Sequence, residues 1–244
     1  MRGVQTGPAL GLFAQLVLLA ALTGTVGLSG VGWTVGCACG VLVNAVLARG
    51  LAATGVGSLG PANRITLARA VLVGGVAALA ADSLSRPIPV TTLVALASVA
   101  LVLDGIDGWV ARRTRTVSTL GAGFDMEIDA LLILVLSGYV ARSFGVWVLA
   151  IGVARYLLVA ASPFLPWLRG PMAPRYWRKV VAAIQGVVLT VAAADALQRW
   201  LVTVTIMASL AMLTASFGSE VWWRWQHRVI VSRPAVTMHA WTDA

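Results

Sequence analysis

Four aspartates stand where an apolar chain should least tolerate them: Asp104, Asp107, Asp125 and Asp129. The chain carries only nine acidic residues, and these four, with Glu127, make up most of them. The stretches on either side, LVALASVALVL and ALLILVLSGYV, are almost wholly apolar. A carboxylate at membrane depth is costly unless it is paired, neutralised or bound to a cation. Four of them together also repel one another. Bound cations are the simplest arrangement that keeps all four charged. A purely oxygen donor set, with no sulfur or imidazole nearby, suits a hard ion such as Mg²⁺ or Mn²⁺. Two such ions, roughly 3.5–4 Å apart, could share the carboxylates and clamp a phosphate group.

The elements that must position these residues are two helices. Asp104, Asp107, Gly108 and Ala111 fall at i, i+3, i+4 and i+7, one stripe of a helix. Gly121, Asp125 and Asp129 fall at i, i+4 and i+8, again one stripe. The short basic stretch RRTRTVST between them makes the two helices antiparallel neighbours. Asp104 lies about 12 Å before Arg112, and Asp129 about 15 Å after Thr119, at ~1.5 Å per residue. The two pairs are therefore expected at similar depth. The alternative reading is an interhelical lock, with the aspartates paired to Arg64, Arg112 and Arg113.

The rest of the chain reads as membrane-embedded. Of 244 residues, 59% are hydrophobic and 11% charged, with mean hydropathy +0.89; a soluble domain carries about a quarter charged residues. Apolar runs recur along the whole length without polar alternation, which points to helices rather than a barrel. Eight spans are expected, at about 9–28, 32–49, 63–81, 89–111, 119–141, 145–165, 178–196 and 200–221. The first is read as a span and not as a cleaved signal, because another span follows at once. With both termini cytoplasmic, the inner ends collect Arg2, Arg49, Arg64, Arg69, Arg112, Arg113, Arg115, Arg175, Arg178 and Lys179, among others. The outer ends hold Arg86, Arg142 and Arg199. This is a positive-inside pattern, and it accounts for the net charge of +9. No nucleic-acid partner is expected, since no soluble domain carries the charge. Cys37 and Cys39, two apart on a helix, lack the partners of a zinc site and read as small packing residues.

The run Asp104-x-x-Asp107-Gly108-x-x-Ala111-Arg112, then eight residues, then Gly121-x-x-x-Asp125-x-x-x-Asp129 resembles the full signature of the CDP-alcohol phosphotransferases (the CDP-alcohol phosphatidyltransferase family). The stretch Pro61–Arg69 resembles the amphipathic start of that family's first core helix. The resemblance implies an all-α fold: a polytopic transmembrane helical bundle with a six-helix catalytic core over residues 57–226. Two extra N-terminal transmembrane helices in 1–56 and a cytoplasmic tail in 227–244 complete the division. Every motif lies after residue 60, so the two N-terminal helices are expected to be dispensable for chemistry.

The resemblance also implies a reaction. A phosphatidyl group passes from a CDP-linked lipid, such as CDP-diacylglycerol, to an acceptor alcohol, and CMP leaves. This is a step of phospholipid biosynthesis at the cytoplasmic side of a cell membrane. By motif position, Asp104, Asp107 and Asp125 are expected as metal ligands, with Mg²⁺ or Mn²⁺, two ions, as cofactor. Asp129 is expected as general base and as a further ligand. Gly108, Ala111 and Gly121 would leave room for the nucleotide, and Arg112 would touch it.

Other residues are candidates on their own chemistry. Asn63 and Thr66 would line the nucleotide cleft, or cap their helix. Arg155 is a lone charge in mid-span, either a phosphate ligand for the acceptor or a salt bridge to the aspartates. Arg175, Arg178 and Lys179 are either topology charges or a funnel for an anionic acceptor, and Gln185 would close the site by hydrogen bonding. Glu127 is rotated about 200° from Asp125, at ~100° per residue, so it should face another helix or the partner of a homodimer. Trp222, Trp223 and Trp225 read as an interfacial belt. The competing function is an intramembrane cation transporter or channel using the aspartates as its ion site, which would favour acids near the midplane and broken helices.

Overall fold

The computed structural model describes residues 6–54, 61–114, 119–161, 163–164 and 176–226. Among the described residues there are eight α-helices, one 3₁₀ turn and no strand. They are α1 (Thr6–Val26), α2 (Gly30–Thr54), α3 (Pro61–Asp82), α4 (Val90–Thr114), α5 (Thr119–Phe144), α6 (Leu149–Ala161), α7 (Tyr176–Ala193) and α8 (Arg199–Gln226). The expected helical bundle is present, and the eight helices overlap the eight spans read from hydropathy. Five contain stretches long and apolar enough to cross a membrane: Gly7–Val26, Gly30–Ala52, Arg64–Asp82, Val90–Gly108 and Arg199–Ser219. The apolar stretches Val146–Ala161 and Lys179–Ala193 are shorter. Helix α5 is 26 residues long and carries Asp125, Glu127 and Asp129 in its first half.

Local chemistry ends these helices where the sequence allows a sharp turn. Gly27 and Gly145 take positive φ, 68° and 105°, just after α1 and α5. Both amides bond back into the helix they leave, Gly27 to the Thr23 carbonyl at 3.0 Å and Gly145 to the Ala141 carbonyl at 2.8 Å. This is the glycine stop of a helix C-terminus. Pro87 and Pro89 stand between α3 and α4, where they interrupt helical hydrogen bonding.

Helix α3 is the axis of the bundle. It is the most buried of the five spanning stretches, and it packs against α1, α2, α4 and α5. Its apolar interior includes Val73, Val76, Ala78 and Leu79, all at 0% exposure. Helix α5 packs on α3, α6 and α7, and α8 closes the bundle through α7. A polar group on the face of α3 that meets α4 and α5 therefore points at the helices that bear the aspartates.

Candidate active site

Helices α4 and α5 bring the four aspartates to one place, as their two stripes require. At the centre stands Arg69 of α3, whose side chain is 0% exposed. Its Nη1 lies 3.0 Å from Asp104 Oδ1 and 2.9 Å from Asp107 Oδ2, and it also donates to Asp125 Oδ1. Its Nη2 donates to Asp129 Oδ1. Thr66, one turn before Arg69 on α3, donates its hydroxyl to Asp107 Oδ2 at 3.1 Å. Asp107 is buried, while Asp104, Asp125 and Asp129 are half-buried. Lys179, exposed at the start of α7, brings Nζ to 4.0 Å from Asp125 Oδ2.

Among the described residues, the charge in this cluster does not balance. One guanidinium faces four carboxylates, and Lys179 stands exposed at the rim, 4.0 Å from Asp125. Arginine thus acts as the lock the sequence suggested, but the arginine seen in the cluster is Arg69, which was not among Arg64, Arg112 and Arg113. Arg64 is exposed. The remaining negative charge calls for further cations. Oxygen atoms of Asp104, Asp107 and Asp125 all lie within 4.8 Å of one another. A set of three hard oxygen donors with excess negative charge fits a divalent ion of the Mg²⁺ or Mn²⁺ type. Asp129 is outside that trio and is held by the other guanidinium nitrogen.

A Cβ added at Gly105 or at Gly123 would meet nothing within 4 Å, but Gly123, two residues from Asp125, is rotated about 200° away from it and faces off the cluster. Gly108 and Gly121 are both half-buried on the same two helices. Thr66 is in the cluster itself, bonded to an aspartate. The side chains of Asn63, Ala111 and Arg112 lie outside the described residues, as does Arg175.

The other singled-out residues lie elsewhere. Arg155 is not a lone charge: its Nη2 pairs with Glu127, and Nη1 lies 2.8 Å from the Met126 sulfur. Its bridge is to Glu127, not to the four aspartates. Glu127 points off the site toward α6, as its rotation on α5 demands. Gln185 ties α7 to α8 by donating to the Ser209 carbonyl at 2.7 Å, so it braces the bundle and does not close the cluster. Trp222 and Trp225 stack with centroids 5.4 Å apart. Cys37 and Cys39 are free thiols, Cys39 buried.

Arg69 is the residue that sequence reasoning passed over, as one more inner-end charge. A signal was present. It lies about 12 Å past Pro61, at ~1.5 Å per residue, the same depth as the aspartates and too deep for a charge at the membrane surface.

The sequence profile of the family described as CDP-alcohol phosphatidyltransferase matches residues 59–222. No curated protein and no solved structure matches the chain significantly. The chain belongs to the CDP-alcohol phosphatidyltransferase family, membrane enzymes that transfer a phosphatidyl group from a CDP-alcohol and generally use a divalent metal. It is a multi-pass membrane protein. Helices α4 and α5 run unbroken through the aspartates, unlike the interrupted helices expected of an ion transporter.

Proposed function

We propose that this chain transfers the phosphatidyl group of CDP-diacylglycerol, or a similar CDP-lipid, to the hydroxyl of an acceptor alcohol, in phospholipid biosynthesis. The observation that carries this reading is the convergence of Asp104, Asp107 and Asp125 within 4.8 Å, with more negative charge than Arg69 offsets. The acceptor oxygen attacks the lipid-side phosphorus, the bond from that phosphorus to the bridging pyrophosphate oxygen breaks, and CMP carries away the electron pair. Asp129 takes the proton of the acceptor hydroxyl. Its separation from the trio favours a base over a fourth ligand, and a base must reach the proton it removes. Mg²⁺ or Mn²⁺, held by Asp104, Asp107 and Asp125, would neutralise the pyrophosphate and the departing phosphate. Arg69 and Thr66 fix the orientations of the carboxylates. Gly108 and Gly121, half-buried on the two aspartate helices, would leave room for the nucleotide, and by motif position Asn63, Ala111 and Arg112 are assigned to contact it.

The acceptor is read as an anionic, phosphorylated alcohol. Lys179 stands exposed at the mouth, and Arg175 belongs to the same basic stretch. Arg155 keeps donors to spare, its buried Nε having no partner. The arginine-rich helix ends near the site support a reading of it as cytoplasmic, at the cell membrane. The test is CMP release from CDP-diacylglycerol by purified protein, across a panel of phosphorylated and neutral acceptors, with and without chelator. Release that depends on a phosphorylated acceptor and on divalent metal is expected. No release with any acceptor, or full activity in excess chelator, overturns the reading.

A further inference from the structure

The family match begins at residue 59, and every motif lies beyond it, yet α1 and α2 are built into the back of the helix that carries Arg69. At ~100° per residue, Leu67, Gly74, Ala78 and Asp82 lie about 140–220° around α3 from Arg69. That face meets the N-terminal hairpin along its whole length. A Cβ at Gly11 would stand 2.8 Å from Leu67 Cδ1, a Cβ at Gly74 2.5 Å from Gln15 Oε1, and a Cβ at Gly36 3.1 Å from the Ala78 Cβ. Contacts this close along one face limit how far α3 can shift or turn against the hairpin.

The outer end is pinned as well. Asp82 is 0% exposed, and its carboxylate accepts from the Ser29 amide at 2.9 Å and the Gly32 amide at 2.8 Å. It also accepts from the Ser29 hydroxyl, and from Arg86 Nε at 3.0 Å. It thus serves as an N-terminal cap supplied to α2 by α3.

We infer that the α1–α2 hairpin is part of the catalytic scaffold: Asp82 and Gln15 are positioning residues that set α3, and through it Arg69, against the four aspartates. This rests on the cluster around Arg69 being the site of transfer. Asp82 is thirteen residues from Arg69, about 20 Å along the helix, so it acts on the site only through the setting of α3.

The test is a double-mutant cycle in the full chain: Asp82→Ala, Arg69→Lys and the pair, each measured per mole of folded protein. Residues that far apart act independently unless a shared backbone shift couples them. Misplacement of reacting groups costs turnover, up to about 10²-fold per ångström. Asp82→Ala is expected to lower turnover roughly tenfold or more with Arg69 present, and by under about twofold in the Arg69→Lys background. Melting temperatures of the same proteins give a reading that needs no turnover: the loss in the double variant should be smaller than the sum of the single losses. Gln15→Ala, which removes the mid-membrane contact and adds no volume, serves in place of Asp82→Ala if the latter does not fold. Equal fold losses in both backgrounds with additive melting shifts, or no loss from either hairpin variant, overturn the inference. A wild-type protein without transfer activity overturns the proposed function instead, and the melting cycle still decides the role of the hairpin.

Discussion

Replacing Arg69 by glutamine tests the charge balance of the site directly. The guanidinium is fully buried and reaches four carboxylates, two of them at 2.9 and 3.0 Å. Glutamine keeps much of the length and removes the charge. Removing one partner of a buried ion pair costs about 3–5 kcal/mol, because the other partner is left uncompensated. Asp107, with its side chain 5% exposed, has least access to water and carries most of that loss. At roughly 2–4 °C per kcal/mol for a chain of this size, the melting temperature in chelator should fall by about 6–20 °C. A divalent ion binding the folded state adds about 2.7 kcal/mol at 100 times its dissociation constant. Freed from competition with the guanidinium, the carboxylates of the variant should hold that ion more tightly than those of the wild type. The assay is thermal unfolding in detergent, for both proteins, in chelator and across a Mn²⁺ titration. Expected are a large loss in chelator and a larger recovery with Mn²⁺ in the variant than in the wild type. An unchanged melting temperature in chelator would show that Arg69 does not compensate the cluster. Equal recovery in both proteins would show that it does not share oxygens with the ion.

Two further substitutions separate the roles of individual side chains. Asp129→Asn should bind CDP-lipid and metal nearly normally, while turnover falls by about 10²–10⁴-fold, the usual contribution of a general base; Asp104→Asn should instead weaken metal binding, and calorimetry that finds the two equally impaired would refute the division. Arg155→Ala should raise the acceptor KM well above any change in the CDP-lipid KM, and equal losses toward both substrates would reduce Arg155 to a structural partner of Glu127.

What the sequence determined by itself was whatever depends on spacing along one helix and on hydropathy. Asp104 and Asp107 share a face because three residues make nearly one turn, and Asp125 and Asp129 share one because four do. A short basic connection makes the two faces neighbours, so the four carboxylates meet without any tertiary information. The eight helices were legible for the same reason, since each apolar run must satisfy its own backbone hydrogen bonds in lipid. Glu127 was legible as an outward residue from its rotation alone. The tertiary structure decided which cations meet these acids, because that choice depends on which helices pack together. Arg69 reaches the cluster from α3, 38 residues before Asp107 in the chain, while Arg64, close by in sequence, stays exposed. Arg155 finds Glu127 across α5 and α6. Asp82, an acid without a motif, caps a helix 53 residues earlier. A charge in an apolar chain must find a partner, and periodicity fixes the direction in which it looks. Only the packing of the helices fixes what stands there.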